Sequence, residues 1–157
     1  MEITEYKNAY RGEVIDLVIS IQNEEAKINL SLEEQDDLQD IEGYFFHDGG
    51  KFWIALEDGA VIGTIGLVVG DGKCGILKKF FVRSDFRSKK VGLALYEKLL
   101  ECAERLELEC VILDTPSVAK ASHRFYERAG FRVIDGSELP IAYCYPDRNS
   151  LLYKLTL

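Results

Sequence analysis

The sequence predicts a mixed α/β fold, and two observations carry that prediction. Two apolar segments, Lys51 to Glu57 and Val61 to Val69, are joined by Asp58-Gly59, a dipeptide typical of tight β-hairpins. Farther along, a helical pattern separates two short apolar segments, which is typical of a crossover between parallel strands. A meander of antiparallel strands and a parallel βαβ unit are therefore expected in one sheet.

Composition indicates a single globular domain spanning residues 1 to 157. The net charge of −8 argues against a nucleic-acid partner, which would require a broad basic face. Neither a signal peptide nor an apolar run of membrane-spanning length is recognisable, so we expect a cytoplasmic protein without a membrane partner. The 4 cysteines form no CxxC pair, which favours reduced thiols over a zinc site.

The first half is expected to begin with helices. The predicted elements are a strand from Ile3 to Tyr6, a helix from about Tyr10 to Lys27, and a helix from Leu32 into the region Tyr44 to Phe46. Ser31 and Glu34 have the spacing of a capping box ahead of the second helix. Asp71-Gly72 repeats the hairpin signal and leads into a strand ending at Val82.

The second half alternates helices and strands. A helix from Lys90 to Leu106 precedes a strand from Cys110 to Asp114, and a helix from about Ala119 to Ala129 is stopped by Gly130. Phe131 to Asp135 and Ser150 to Leu157 are predicted to close the sheet. The long link between these last strands is expected to fold over a site.

A basic loop lies between the strand ending at Val82 and the helix near Lys90. A loop that opens a helix aims unpaired backbone N–H groups at one point, and phosphate is their usual ligand. This stretch has one acid, Asp85, among six cations: Lys78, Lys79, Arg83, Arg87, Lys89 and Lys90. The alternative is a solvated basic loop that caps a helix.

Two motifs resemble the GNAT superfamily of acyl-CoA-dependent N-acetyltransferases. The family's Arg/Gln-x-x-Gly-x-Gly/Ala loop is matched from Arg87 to Gly92, and its Tyr-x-x-x-Gly-Phe pattern is matched by Tyr126, Gly130 and Phe131. The resemblance implies a GNAT-like fold, with a mostly antiparallel central sheet, a parallel βαβ core and helices on both faces. It also implies acetyl-CoA as co-substrate, with no metal.

Carried onto this chain, the resemblance assigns the coenzyme contacts. Loop amides would hold the pyrophosphate, and strand backbone would bind the pantetheine arm. The residues concerned are Phe81, Val82, Arg87, Ser88, Lys89, Lys90, Val91, Gly92, Leu93 and Thr115. Lys90 replaces the motif's first glycine. If that position requires a positive φ, lysine is strained there by roughly 1 kcal/mol or more. We favour the alternative, a place in the first helical turn where lysine fits, because VGLALYEKLL continues as helix. An alternative for Thr115 is a helix-entry residue ahead of Pro116.

Acetyl transfer to an amine needs an oxyanion donor, a proton for the leaving thiolate and a base for the amine. The resemblance suggests the backbone N–H of Val82 for the oxyanion and the hydroxyl of Tyr126 for the thiolate. The alternative for Tyr126 is simple packing against the sheet. The base stays open among Glu24, Glu25, Asp114, His123 and a water chain, and His123 is interpreted as an ordinary surface residue.

The favoured function is an N-acetyltransferase that acts on a primary amine of a small molecule or peptide by direct attack in a ternary complex. A non-catalytic acyl-CoA sensor is the main alternative, and a nucleotide-binding protein is a weaker one because the loop lacks the GxxxxGK[S/T] pattern. Acidic residues of the first two helices suggest an acidic mouth that attracts a cationic amine. A homodimer is compatible with the sequence.

Overall fold

A single mixed sheet of seven strands carries the fold of the computed structural model, which describes residues 1–142 and 149–157. The strands are β1 Glu2–Glu5, β2 Lys51–Glu57, β3 Ala60–Val69, β4 Cys74–Val82, β5 Cys110–Pro116, β6 Arg132–Ile134 and β7 Ser150–Thr156. Their order in the sheet is β1-β2-β3-β4-β5-β7-β6.

The strand directions confirm the predicted fold class. Strands β1 to β4 form an antiparallel meander, β4 and β5 are parallel, and β7 is antiparallel to both β5 and β6. The predicted hairpin at Asp58-Gly59 is also confirmed. Both of its residues have positive φ, 50° and 80°, as a type I′ turn requires.

Helices pack on both faces of this sheet. They are α1 Arg11–Ser20, α2 Asp36–Gln39, α3 Ile41–Phe45, α4 Val91–Arg105 and α5 Lys120–Arg128. Alternate residues of β2 separate the two faces, because Phe52 and Ile54 pack with α1, α2 and α3 while Trp53 and Ala55 pack with α4 and α5. The α1 helix continues into a π-helical segment, Ile21–Glu25.

The prediction of one helix from Leu32 to the Tyr44–Phe46 region is wrong. The capping box of Ser31 and Glu34 is present, but it caps only a short 3₁₀ turn, Leu32–Glu34. The backbone leaves the helical region at Gln35 and again at Asp40, where φ is −140°. Asp40 then accepts a hydrogen bond from the Gly43 N–H and caps α3, so a local side-chain bond competes with helix continuation.

Candidate active site

The parallel strands β4 and β5 separate before either of them ends. Their pairing covers only Cys74 to Ile76 on β4 and Cys110 to Ile112 on β5. Beyond this point β4 stays paired with β3 as far as Val82, and β5 stays paired with β7 as far as Pro116. A V-shaped opening therefore lies in the middle of the sheet, between two strands whose facing edges are unpaired.

A β-bulge in β4 lies along one side of this opening. The register with β3 shifts between Thr64 and Gly66, and Lys79 has a φ of 55°. The buried Thr64 hydroxyl donates to the Lys79 carbonyl oxygen at 2.7 Å and holds the bulge in place. Because a bulge interrupts strand alternation, the side chains of Lys78 and Lys79 both lie on the face that carries α1, α2 and α3.

The backbone of Val82 faces the opening. The Arg83 N–H donates to the Ile62 carbonyl of β3 at 2.8 Å. Because amide directions alternate along a strand, the N–H of Phe81 is also turned toward β3 and the N–H of Val82 toward the opening. Of the two strand residues predicted to bind the coenzyme, Val82 is therefore the one whose backbone polar groups face this space.

The α4 helix begins beside Val82, one residue later than predicted. The first helical hydrogen bond runs from the Ala94 N–H to the Lys90 carbonyl at 3.1 Å, so the helix leaves the N–H groups of Val91, Gly92 and Leu93 without a partner in the helix. A Cβ added to Gly92 would lie 3.5 Å from the Phe80 ring, in ordinary contact. The helix start is thus packed directly against the end of β4.

The interpretation of Lys90 as a helical residue is wrong. Lys90 precedes the helix with φ 61° and ψ 18°, in the left-handed region, and its side chain makes no capping hydrogen bond. This conformation costs a non-glycine residue roughly 1 kcal/mol. Lys90 is the single residue between the 3₁₀ turn Ser84–Lys89 and Val91, which is buried in the core.

The six cations between Lys78 and Lys90 do not form one cluster. Lys78 and Lys79 point into the interior, Arg83 pairs with Asp85 at 2.8 Å, and Arg87 Nη1 lies 2.7 Å from Glu25 Oε1. Arg87 also donates from Nε to the Val82 carbonyl at 2.9 Å. Ser88, Lys89 and Lys90 remain exposed on the loop. Lys78 and Lys79 therefore do not contribute to the predicted phosphate-binding site at the start of α4.

Asp37 holds both interior lysines. The Nζ atoms of Lys78 and Lys79 lie 3.1 and 3.2 Å from the same Oδ2 atom of Asp37, and Lys78 also donates to the Tyr44 hydroxyl at 3.1 Å. Burial alone would raise the pKa of Asp37, but the two ammonium groups lower it. Burial lowers the pKa of Lys79, whereas the neighbouring acid raises that of Lys78 against burial.

Tyr126 lies on the opposite side of the sheet from this cluster, buried between Phe80, Phe131 and Tyr153. Burial first, then the field of Asp114, raises the pKa of the Tyr126 phenol well above its ordinary value. A phenol is already protonated at neutral pH at its ordinary pKa of about 10, and the upward shift keeps it so while making it a weaker acid. A protonated hydroxyl is the form that a donor to a thiolate requires.

His123 and Thr115 are both buried, which differs from the sequence-based interpretations of these residues. His123 is buried, not at the surface, and its Nε2 lies 2.9 Å from the Pro116 carbonyl oxygen. Thr115 is buried inside β5 opposite Leu151, so the alternative that made it a helix-entry residue is wrong, since α5 begins only at Lys120. The missed signals are positional: His123 lies three residues before Tyr126 on the inward face of α5, and Thr115 lies two residues after the buried Leu113 on β5.

An open groove adjoins the far end of β5. It has a volume of 660 Å³ and is lined by Ala26, Lys27, Ile28, Pro116, Ser117, Val118 and Asn149. Its first wall is held in shape by Asn23, whose side chain makes two 2.6 Å hydrogen bonds with the backbone of Leu30. This wall directly follows the π-helical end of α1, and π-helical turns frequently occur at functional sites.

The remaining expectations concern absences and the long link. Among residues 1–142 and 149–157, no group of three or more His, Cys, Asp or Glu side chains is placed to hold a metal ion. Within those same ranges, no helix has both the length and the apolar character of a membrane span. The link predicted to fold over the site includes residues 143–148, which lie outside the described residues.

Comparisons with known proteins identify the family. The profile of the acetyltransferase (GNAT) family matches residues 16–131, and the chain belongs to that family. A GNAT-family acetyltransferase from Staphylococcus aureus Mu50 is 31% identical with a TM-score of 0.95, covering 99% of this chain and 98% of that one. An acetyltransferase from Streptococcus agalactiae 2603 is 39% identical with a TM-score of 0.94 over the same shares.

Curated relatives are similar over a shorter stretch. The human N-acetylaspartate synthetase is 36% identical over 104 residues, which is 65% of this chain and 34% of that protein. The chain thus spans about a third of the length of the curated synthetases it matches. The resemblance read from the two sequence motifs is confirmed, as is the GNAT fold, and the family is one of acyltransferase enzymes that use acetyl-CoA.

Proposed function

We propose that this protein is an N-acetyltransferase that transfers the acetyl group of acetyl-CoA to a primary amine of a small molecule or peptide. The amine attacks the thioester directly in a ternary complex. The observation that carries the proposal is the opening between β4 and β5, because it places the Val82 N–H and the start of α4 side by side. In acetyl-CoA an extended arm joins the thioester to the diphosphate. The thioester would therefore lie at the Val82 N–H while the diphosphate binds at the start of α4.

The coenzyme would be held mainly by backbone groups. N–H groups from Ser88 to Leu93, with the positive end of the α4 dipole behind them, suit a pyrophosphate. Lys89 and Lys90 are exposed beside them and can neutralise its charge. The pantetheine arm would lie between the unpaired edges of β4 and β5, next to Thr115.

Each chemical step has a candidate group. The Val82 N–H faces the opening and would donate to the oxyanion formed when the amine attacks the carbonyl carbon. Arg87 binds the carbonyl oxygen of Val82, in the next peptide unit, and so holds the end of β4 in place. The C–S bond then breaks, and the Tyr126 hydroxyl would donate a proton to the departing thiolate. The amine loses its proton to a base that we leave unassigned.

The acceptor would enter through the open groove that lies between the end of β5 and residues 26–28. The name N-acetylaspartate synthetase, carried by relatives of one third identity, suggests that amino acids belong among the acceptors to be tested. We place the reaction in the cytoplasm; the free thiols of Cys74, Cys102 and Cys110 agree with a reducing compartment.

The alternative function is a non-catalytic acyl-CoA sensor, and one observation favours it. The β4 strand, CGILKKFFV, carries lysines and no carboxylate that could serve as a base. Release of free coenzyme A thiol, measured with acetyl-CoA and a panel of primary amines, separates the two functions. An enzyme gives amine-dependent thiol release, whereas a sensor binds acetyl-CoA and releases no thiol with any amine.

A further inference from the structure

The proposed transfer chemistry leaves one buried charged cluster without a role. It consists of Lys78, Lys79 and Asp37, and we call it the lysine pair and its aspartate. The exposed fractions of the three side chains are 16%, 11% and 5%. Burying two like charges side by side is costly, and in a strand it requires the bulge at Lys79 to bring both side chains to one face.

The donors of this cluster exceed its acceptors. Lys78 divides its ammonium hydrogens between Asp37 and the Tyr44 hydroxyl. Lys79 has three N–H donors, and within the described residues its hydrogen-bonding partner is Asp37. Asp114 of β5 also acts on Lys79 through its field, as the smallest of the influences on the Lys79 pKa. Buried donors are normally satisfied, so a further acceptor is expected here.

The position of the cluster connects it with the reaction. Lys79 lies on β4 beyond Ile76, the last residue that pairs with β5, and three residues before Val82. It faces the side of the sheet that carries α1, α2 and α3, opposite Tyr126. An amine that approaches the thioester from this side would pass the Lys79 ammonium.

The acidic side chains of this region are already engaged. Asp37 lies between the two lysines, Glu25 pairs with Arg87, and Asp40 caps α3. Two carboxylates of the acidic mouth expected from the sequence, Asp37 and Glu25, are therefore neutralised by cations of the chain. Counted with Asp114, whose field reaches Lys79, the two ammonium groups are matched by two carboxylates. What Lys79 still offers a ligand beside the opening is its remaining N–H donors.

We propose that Lys79, with Lys78 beside it, binds a carboxylate of the acceptor, so that the substrates are amino acids or other primary amines that carry a carboxylate. This inference rests on the proposed acetyl transfer and specifies its substrate class. The ammonium supplies a charge-assisted hydrogen bond, which fixes the acceptor in register with the thioester. Lys79 is thus a specificity-determining residue.

The test compares matched acceptors in the thiol-release assay. β-Alanine and its amide have similar size, but only the acid carries a carboxylate. The amide's amine is the less basic of the two, so a larger share of it is unprotonated, and simple reactivity would favour the amide. We expect kcat/KM for the acid to exceed that for the amide by roughly tenfold or more.

Two variants sharpen this comparison. Lys79→Met removes the charge but keeps the length of the side chain, and it should bring the acid-to-amide ratio close to one. Lys98→Met is the matched control, because Lys98 is exposed on α4, and it should keep the wild-type ratio. Thermal unfolding and acetyl-CoA binding of each variant report whether the fold and the coenzyme site are intact.

The outcomes separate the inference from the proposed function. Equal rates for acid and amide in the wild type, or an unchanged ratio in Lys79→Met, would overturn the carboxylate site and leave acetyl transfer standing. Failure of every amine in the panel to increase thiol release would overturn the transfer, and the substrate class with it. Should Lys79→Met fail to fold, competition in the wild type decides: propionate must inhibit and propionamide must not.

Discussion

The Arg87 guanidinium donates from Nε to the Val82 carbonyl oxygen at 2.9 Å, while its Nη1 contacts Glu25 at 2.7 Å. One side chain thus connects the end of β4, the loop before α4 and the π-helical end of α1. These three segments surround the place where we put the thioester. We therefore propose Arg87 as a positioning residue for the end of β4.

Arg87→Ala should weaken acetyl-CoA binding roughly tenfold, because it removes the charged hydrogen bond that holds the Val82 peptide in place. Calorimetric titration with acetyl-CoA gives the affinity. Glu25→Gln is the control, since it removes the ion pair but keeps the bond to Val82, and its affinity should stay close to that of the wild type. Equal losses in the two variants would show that the ion pair, and not the Val82 bond, matters.

Tyr126→Phe should lower kcat by about 10²-fold, the range expected for loss of a general acid, while acetyl-CoA affinity changes little. Tyr96→Phe is a matched control from the same aromatic cluster. Within residues 1–142 and 149–157 the buried Tyr96 hydroxyl has no hydrogen-bond partner, so its removal should leave turnover intact and keep or increase stability. Unchanged turnover in Tyr126→Phe would leave the tyrosine with a packing role only.

Lys90→Gly should increase the free energy of unfolding by up to about 1 kcal/mol, because glycine adopts the left-handed region without the steric cost that lysine bears at φ 61°. Lys98→Gly makes the same chemical change inside α4, where it should destabilise by about 1 kcal/mol. Urea unfolding of the two variants measures both effects. A destabilised Lys90→Gly would mean that the lysine side chain contributes more than its backbone costs.

Asp37 should make stability depend on acid pH. The pKa of its folded-state carboxyl is lowered by Lys79 and Lys78 in spite of burial, so protonation favours the unfolded chain. Its stabilising contribution is complete above the unfolded-state pKa, about 3.9, and is lost as the pH falls through the lower folded-state pKa. Asp37→Asn should cost about 3 kcal/mol near neutral pH, because it leaves two buried ammonium groups unpaired.

Urea unfolding between neutral and strongly acid pH tests this account of Asp37. The wild type should lose stability at the acid end, and Asp37→Asn should lose less over the same range. Asp36→Asn is the neighbouring control, because Asp36 is exposed, and it should behave like the wild type. Parallel pH profiles for Asp37→Asn and the wild type would contradict the assignment of the acid limb to this carboxylate.

The sequence predicts those parts of the fold that depend on local patterns. The hairpin at Asp58-Gly59 and the stop of α5 at Gly130, where φ is 99°, each follow from residues within a few positions. The crossover between β4 and β5 follows from the length of the helix between them. The family motifs correctly indicate a GNAT fold, because their residues surround the helix start and the last helix.

The errors concern residues whose conformation is set by distant partners. Lys90 is left-handed, and the available signal was the glycine that the family motif has at its position, because glycine adopts a positive φ without steric cost. The bulge at Lys79 depends on Thr64 of β3, and the burial of Lys78 and Lys79 depends on Asp37. For that burial the one available signal was two consecutive lysines in an otherwise apolar strand. Strand alternation alone would place their side chains on opposite faces of the sheet, so it does not predict that both are buried on one face.

Calorimetric titration of the wild-type protein with acetyl-CoA, alongside S-acetylpantetheine, tests the central claim most directly. The claim is that backbone N–H groups at the start of α4 hold the pyrophosphate while the thioester lies beside Val82. We expect one site with a micromolar dissociation constant for acetyl-CoA and much weaker binding of the phosphate-free thioester, with a salt dependence only for the former. Absence of heat with acetyl-CoA up to millimolar concentration, or equal affinities for the two ligands, would contradict the claim.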